Sequence, residues 1–587
     1  MRLLSLTLNG QYKGLKDQTF SFENADDHVI AFIGLNGSGK SQLLELIAEC
    51  FAYLERLQRH DFKGKGHLGF DFTLSYSMSG YVNQAPFSRV EVFGNKLNVA
   101  DGFTDPKFKI VVKDNKVESI ALKSSESAMA IGIESLPLPQ IVGYSSGLNE
   151  NLQRPFLKNA NQLFKALRAR AKYHKEKRKI EMAYELRNND SELAFNIYLS
   201  NKKELVDKFR RNHAYLFDFD AAEYTDDDLA LPETATHPSN LVYLDYDSAQ
   251  FAVAFIDFEY QALITQHSQS NKDRSNLTFT TPTSLTLEFD FTQPNVADEI
   301  VDDIKSFIRL AETGNGTTQY LGKTTTAEEY DYYELDFLKG VIELDLTELA
   351  KESQFSTFGT LNPFRLFERL YKVQQLGIKN IRAHDRKLLE KDGFLGTVKK
   401  PLKVKLPLMA KSLELKNSGI DSVAYEELSD GESQLLQILA VIKLYTHENT
   451  LFLLDEPETH LNPAWRTSFH SYLTNALRGQ NGKTKSQALL STHSPFMVSS
   501  LKRNNVYQFR RSDDGLIDMK VAQNETYGAS FDVLIKDLFD LRSLISQSVI
   551  DEIREQLKQG DNHAREWIEA NLGLSAEKAY LIRKLSQ

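Results

Sequence analysis

The chain has 587 residues, 41% hydrophobic and 26% charged, which is too long for one ordinary core and has the apolar content of a globular protein of two or more domains. Its formal net charge of −10 excludes a chain-wide basic field, so contact with nucleic acid has to come from local patches. The single cysteine, Cys50, excludes an internal disulfide and a zinc site of several thiols, and suits a reducing, cytoplasmic setting.

The opening MRLLSLTLNG lacks the apolar core of a signal peptide, and no run of about 18 apolar residues follows, so no membrane partner is expected. Residues 3–8 and 19–22 read as strands. Residues 29–33 are an apolar run ending at a glycine, which suits a buried strand. Next comes Gly34-Leu-Asn36-Gly37-Ser38-Gly39-Lys40-Ser41, the pattern G-x-x-x-x-G-K-S/T. After it Leu43, Leu44, Ile47, Ala48, Phe51 and Leu54 recur at helical spacing.

A strand, a glycine-rich loop and a helix in that order form a phosphate cradle. The backbone of Asn36, Gly37, Ser38 and Gly39 would surround the phosphates, helped by the positive end of the helix. Lys40 would reach the β- and γ-phosphates, and Ser41 would offer its hydroxyl to Mg²⁺. Further strands at 70–76, 90–93 and 108–112 make the N-terminal part β-rich.

A helical texture begins near Asn149, with helices expected over 156–187 and 191–213. The first carries a basic stretch from Arg168 to Lys179. Such a stretch is either a solvated face or a contact for a phosphate backbone. An acidic loop follows at 218–228. Residues 241–360 mix strand-like and helical pieces without a legible topology. No heptad seam persists, so a long coiled coil is not expected.

Residues 413–416 and 422–425 have the pattern of an edge hairpin. In Leu428-Ser429-Asp430-Gly431-Glu432-Ser433-Gln434, Ser429 stands at a helix N-cap and Glu432 completes a capping box. Leu451-Phe-Leu-Leu-Asp455-Glu456-Pro457 is an apolar strand ending in two carboxylates, where an open parallel sheet gathers its ligands. Asp455 suits the Mg²⁺ shell and Glu456 suits the base for an attacking water. His493 ends another short apolar strand, Leu489-Leu490-Ser491-Thr492-His493. The remainder reads as mostly helical.

Phosphate loop, serine–glycine turn, acidic strand and strand-end histidine, in that order, resemble the ABC-type ATPases. The turn is similar to their LSGGE/Q signature, with Asp430 in place of the first glycine. The resemblance implies an α/β fold: an ABC-type P-loop ATPase head with a β-rich N-terminal lobe and a mostly helical insertion between phosphate loop and signature. The expected division is 1–150 and 413–510 for the two halves of the head, 151–412 for the insertion and 511–587 for a helical tail. It also implies ATP and Mg²⁺ as cofactors and a homodimer closed around ATP. In such a dimer Ser429 and Gly431 act on the nucleotide held by the other subunit, Glu456 and His493 are catalytic, and Ser41 and Asp455 serve the metal. A glutamine contact falls to Gln140 or Gln153.

The opening residues with the phosphate loop resemble RecF- and SMC-like ATPases. Asp455-Glu-Pro-Glu-Thr-His460-Leu461-Asn462-Pro463 is similar to a variant in OLD-like and RecF-like proteins, with Asn462 where transporters carry aspartate. Gly143-Tyr-Ser-Ser-Gly147 resembles a loop in bacterial defence ATPases. The chain most resembles the ATPase subunit of Septu-type anti-phage systems, including those attached to retrons. That implies a separate HNH nuclease as partner, with DNA or retron nucleic acid as a further ligand. The chain shows no nuclease centre of its own. The alternatives are a RecF/SMC-like DNA-binding ATPase of repair or recombination, and a scaffold that binds ATP without hydrolysing it.

Overall fold

The computed structural model describes residues 1–79, 106–123, 128–146, 152–186, 191–216, 238–255, 279–290, 303, 307–311, 316–320, 339–347, 363–399, 405–417, 422–446, 449–478, 484–539 and 545–585. These residues form three sheets. The first is antiparallel, in the order β2 (Leu15–Ser21), β1 (Arg2–Tyr12), β4 (Asp71–Ser77), β5 (Lys107–Lys113), β6 (Lys116–Lys123), β7 (Ala128–Ala130). This is the expected β-rich lobe; the strand expected at 90–93 lies outside the described residues.

The second sheet runs β18 (Ile517–Val521), β17 (Val506–Arg511), β3 (Val29–Ile33), β16 (Gln487–Ser491), β15 (Thr450–Asp455), β8 (Gln140–Ser145), β9 (Leu241–Leu244). All its pairings are parallel except β17–β18. The third is antiparallel: β11 (Thr317–Tyr320), β12 (Lys339–Asp345), β10 (Phe279–Asp290), β13 (Leu408–Asn417), β14 (Ser422–Ala424).

Every residue of β3, β15 and β16 is buried, so these strands read as unbroken apolar runs rather than alternating ones. Their alternation appears instead as a division between two cores. Ile30, Phe32, Leu451, Leu453 and Leu489 face one core, shared with helix α1 (Lys40–Gln58) and the N-terminal lobe. Ala31, Ile33, Phe452, Leu454, Ala488 and Leu490 face the other. That second core collects the helices α2 (Gln153–Glu185), α4 (Tyr246–Phe255), α5 (Pro363–Gln375), α7 (Asp430–Leu444) and α8 (Pro463–Leu477), together with the third sheet. The phosphate-loop helix and the signature helix α7 therefore lie on opposite faces of one sheet.

Helix α2 and its partner α3 (Glu192–Asn212) match the expected helices within a few residues. The basic stretch on α2 differs from a simple solvated face: Ala169, Arg170, Ala171 and Tyr173 are buried, with Tyr173 against Phe209 of α3. Lys177 and Lys179 face Glu181 and Glu176 on their own helix.

Two expected boundaries also differ from the structure. β9, inside the segment 151–412, is the edge strand of the central sheet, and β10 to β12 pair onward to β13. The inserted residues are thus sewn into the head, because β8 and β13 each have a free edge that these strands satisfy. The boundary at 510 falls within the β17–β18 hairpin, whose turn is Ser512–Gly515. Strands precede the terminal helices, among them α10 (Phe531–Phe539) and α13 (Ala576–Leu585). Among the described residues no helix is long and apolar enough to cross a membrane.

The start of α2 is fastened to α1 by buried charge. The Arg154 guanidinium lies 2.9 Å from Glu45 and 3.6 Å from Glu49, and donates to the Tyr12 hydroxyl at 2.5 Å and the Phe394 carbonyl at 2.7 Å. Glu49 also meets Arg56 at 3.0 Å and Lys158 at 3.1 Å. Burial pushes Glu49 up, but Lys158, Arg56 and Arg154 outweigh it and hold the carboxyl well below its ordinary range. Burial wins at Glu45, which sits above the usual value despite Arg154 and Lys13. Removing one partner of such a cluster strands the opposite charge. Arg154→Met, which keeps most of the volume, is expected to lower the unfolding free energy in urea by about 3–5 kcal/mol. A loss under about 1 kcal/mol would show that the cluster does not hold α2 to α1.

Candidate functional site

β3, β16 and β15 lie side by side, and their parallel register sets Phe32 beside Ser491 and Ser491 beside Asp455. The loop after β3, the carboxylates ending β15 and the histidine after β16 therefore converge at one sheet edge. Gly34 leaves β3 with φ +146°, and a Cβ there would stand 2.4 Å from the Phe509 carbonyl oxygen. Only glycine fits where β17 passes so close. Asn36 and Gly37 are exposed at the loop tip. The Gly37 carbonyl accepts from Arg511 Nε at 3.0 Å, and Ser38 N–H donates to Leu35 at 3.1 Å. The Ser38 hydroxyl is buried without a hydrogen-bond partner. Gly39, with φ +104°, precedes the first turn of α1.

Lys40 Nζ donates to the carbonyls of Gly34 at 2.8 Å and Leu35 at 3.2 Å, and faces His493 Nε2 at 3.0 Å. Burial lowers the Lys40 ammonium to about 8, against the opposing pull of Glu456 and Asp455. Ser41 Oγ donates to Asp455 Oδ1 at 2.8 Å, and Ser491 Oγ reaches the same oxygen at 2.5 Å. Burial pushes the Asp455 carboxyl up even so.

These residues fit a magnesium–triphosphate. An ammonium capped by loop carbonyls, an unpartnered Ser38 hydroxyl and a half-compensated carboxylate beside a serine hydroxyl are groups that phosphate oxygens and a cation would satisfy. Among the described residues no cluster of three His, Cys, Asp or Glu side chains forms a closed metal cage. Mg²⁺ in phosphate sites takes few protein ligands and fills its shell with phosphate and water.

Glu456 has φ +51°, in a region sparse for non-glycine residues. Its N–H is held by the Ser491 carbonyl at 3.2 Å and hydroxyl at 3.0 Å. The strain turns its carboxylate toward His493, with Oε1 3.4 Å from Nε2. The hydrogen bond from His493 lowers the Glu456 pKa. His493 Nε2 thus faces an ammonium and a carboxylate at once. Toward Lys40 it accepts and toward Glu456 it donates, so it serves one of them at a time.

Ser429 caps α7 as expected: its Oγ accepts from Glu432 N–H at 3.4 Å and donates to Glu432 Oε2 at 2.7 Å. Gly431 is needed for space, since a Cβ would stand 2.8 Å from the His460 carbonyl oxygen. Asp430 occupies the first helical turn, where a negative charge is favourable. Ser429 and Gly431 begin a helix on the far face of the sheet from α1, so the structure does not bring them together with Lys40 by any hydrogen bond among the described residues.

Gln140 begins β8, five residues before Ser145, which pairs with Asp455. That is roughly 16 Å along the strand from the carboxylate edge, so Gln140 cannot supply the glutamine contact. Gln153 stands beside Arg154, whose partner Glu45 is on the second turn of α1, and its Oε1 is buried without a hydrogen-bond partner.

Several contacts escape the motif pattern. Gln434 Nε2 donates to the Tyr144 hydroxyl at 2.9 Å, and its Oε1 accepts from His460 N–H at 3.1 Å, tying α7 to β8 and the acidic turn. Thr459 Oγ1 donates to the Glu456 carbonyl at 2.9 Å and lies 3.2 Å from Ser146 Oγ. Asn462 is the N-cap of α8, accepting from Trp465 N–H at 2.9 Å, with Pro463 next. Gly147 lies outside the described residues. Polar residues flanking each motif were the available signal for these, but no spacing rule singles them out.

Residues 322–499 match the family described as "AAA domain, putative AbiEii toxin, Type IV TA system". The match contains the signature turn, the acidic strand and His493, and lies outside the glycine loop. Protein ea59 of Escherichia phage lambda is 29% identical over 133 residues, 22% of this chain and 24% of ea59, so the chain spans about a quarter of that relative. Among solved structures, the Smc head domain with an extended coiled coil bound to the C-terminal domain of ScpA, derived from Pyrococcus furiosus, aligns over 94% of this chain and 99% of its own. Its identity is 12% and its TM-score 0.26. The Smc head domain with a coiled coil and joint from Pyrococcus yayanosii aligns over 89% and 97%, with 14% identity and a TM-score of 0.27. Residues 322–499 are thus similar to an AAA domain, and the glycine loop joins β3 of the central, mostly parallel sheet to α1.

A triphosphate beside Lys40 favours the charged ammonium, so nucleotide binding at a pH above about 8 is expected to take up protons. Calorimetry at about pH 8.5 in buffers of different ionisation enthalpy reads that uptake directly. Equal heats in all buffers would show that Lys40 does not meet the phosphates.

Proposed function

We propose that this chain is an ATP hydrolase whose two copies close face to face around ATP, each phosphate loop completed by the signature turn of the other. The observation that carries this reading is the placement of Lys40 and Ser429 on helices at opposite faces of one sheet. Lys40 has its phosphate-binding neighbours around it, whereas Ser429 engages only its own helix turn by hydrogen bonds among the described residues. A two-fold dimer is the simplest arrangement in which both surfaces meet one triphosphate.

Lys40 and the loop N–H groups would hold the β- and γ-phosphates, and Ser41 and Asp455 would hold Mg²⁺. Bound Mg²⁺ would neutralise charge developing on the phosphate oxygens. Glu456, held ionised by His493, would accept a proton from the attacking water, and His493 would turn from Lys40 and Glu456 toward the γ-phosphate. Closure would last while the γ-phosphate joins the two protomers and end when it leaves, since a ligand shifts an equilibrium only by its differential affinity.

We infer further that this cycle gates a partner effector, an HNH nuclease, in bacterial anti-phage defence, with DNA or retron nucleic acid as a further ligand. The description of the matched family, which names a toxin–antitoxin system, supports a defensive role. Within this reading the protein works in the cytoplasm, since no helix among the described residues is suited to a membrane. Strong ATP-dependent DNA binding by the protein alone would favour the RecF/SMC-like reading instead.

Glu456→Gln is expected to bind ATP, to hydrolyse it at under about a hundredth of the parent rate and to run as a dimer with ATP in light scattering. Parent-rate hydrolysis by this variant would remove Glu456 from the role of base. Lys40→Ala and Ser429→Arg are each expected to be inactive. Mixed in equal amounts, they are expected to recover about a quarter of parent activity, because half the dimers then carry one intact composite site. No recovery on mixing would place both residues in the same subunit's site.

A further inference from the structure

Within the four residues from Asp455 to Glu458 the acidic turn presents three carboxylates, and three consecutive residues from the last residue of β16 onward grip one each. Ser491 holds Asp455 at 2.5 Å, Thr492 donates its hydroxyl to Glu458 Oε1, and His493 meets Glu456 at 3.4 Å. The mechanism above uses the first and third pairs. The second pair lies beneath them and is buried, with Glu458 4% exposed and Thr492 0%.

Thr492 has no freedom to turn away. Its N–H donates to the Phe32 carbonyl at 3.0 Å, extending the ladder to β3, and its Oγ1 accepts from Ser494 N–H at 2.9 Å. With that lone pair occupied, the hydroxyl proton points to Glu458. Glu458 fixes the turn in return, because its carbonyl accepts from Leu461 N–H at 3.1 Å, while its Oε2 is buried with no hydrogen-bond partner among the described residues. The charged groups facing it are Glu456 on the same turn and Arg466 from α8. His493 stands between two residues, Thr492 and Ser494, that are both locked into this buried bridge.

We propose that Glu458 is a positioning residue of the hydrolytic site: by holding Thr492 it fixes where His493 stands against Glu456 and Lys40. This rests on the ATP-hydrolase reading and gives that site a second layer which the motif pattern does not assign. The bridge also responds to pH. Burial is the main cause that pushes the Glu458 carboxyl up to about 7, from an ordinary value of 4.5. The folded chain therefore holds a proton there that the unfolded chain releases, and the bridge loses stability as pH rises from about 4.5 through about 7. An ionised Glu458 with one bare oxygen draws water into the turn, and the His493 loop loosens.

The test uses the full chain with ATP and Mg²⁺ and measures kcat and KM between about pH 6 and pH 8.5. Thr492→Val removes the hydroxyl and is expected to lower kcat roughly 10- to 100-fold with KM for ATP within about threefold, the pattern of a misplaced catalytic group. Thr492→Ser keeps the hydroxyl and is expected to restore most of that loss. Glu458→Gln cannot ionise, so its kcat relative to the parent is expected to rise about threefold or more across the range, a ratio in which the titrations of Glu456 and His493 cancel. A Thr492→Val enzyme with parental kcat, or a flat Glu458→Gln ratio, overturns the inference while leaving the hydrolase reading intact. Absence of Lys40-dependent hydrolysis in the parent overturns both. If Glu458→Gln does not fold, the Thr492→Val and Thr492→Ser pair decides alone.

Discussion

The site depends on one constraint: β3, β16 and β15 run parallel and in register, so Phe32, Ser491 and Asp455 lie across neighbouring strands. Parallel strands deliver their C-terminal ends to a common edge, and ligand groups gather there. Ser491, in the middle, supplies the coupling. Its hydroxyl and carbonyl hold the Asp455 side chain and the Glu456 N–H, forcing Glu456 into positive φ and pointing its carboxylate at His493. A shift of one residue in β16 would turn Ser491 away and break every contact that follows.

That sheet also separates the phosphate-loop helix from the helix that Ser429 caps. Its alternate residues feed two separate cores, one built on the phosphate-loop helix and one on the signature helix. A closely packed sheet does not let a helix on one face reach a ligand on the other. The signature turn is accordingly finished within itself, by a capping box and by Gly431 fitted against His460. The phosphate loop has groups to spare: a buried Ser38 hydroxyl without a partner, and a lysine making do with loop carbonyls. The asymmetry is the physical basis for the proposal that a second copy completes the site.

Buried charge links the nucleotide side to the rest of the chain. Arg154, 1% exposed, ties the first turn of α2 to α1, and α2 runs from there into the second core and on to α3. The five-stranded sheet begun within the middle segment continues through β13 toward α7. The middle of the chain is therefore part of the head's own packing, joined at β9, at β13 and at Arg154.

The sequence by itself determined the elements whose cause is local. A glycine loop between an apolar run and an amphipathic helix, a serine with glutamate three residues on, and two carboxylates ending a buried strand each carry their physical reason within about ten residues, and β3, α1, α7 and β15 stand where those patterns put them. Only the tertiary structure decided what depends on strand order. It placed Gln140 at the wrong end of β8, drew β9 into the central sheet, packed Tyr173 against Phe209 of α3, and set Thr492 over Glu458. Each is a contact between residues tens to hundreds of positions apart, fixed by pairing and burial across the whole chain, and no spacing within a segment encodes it.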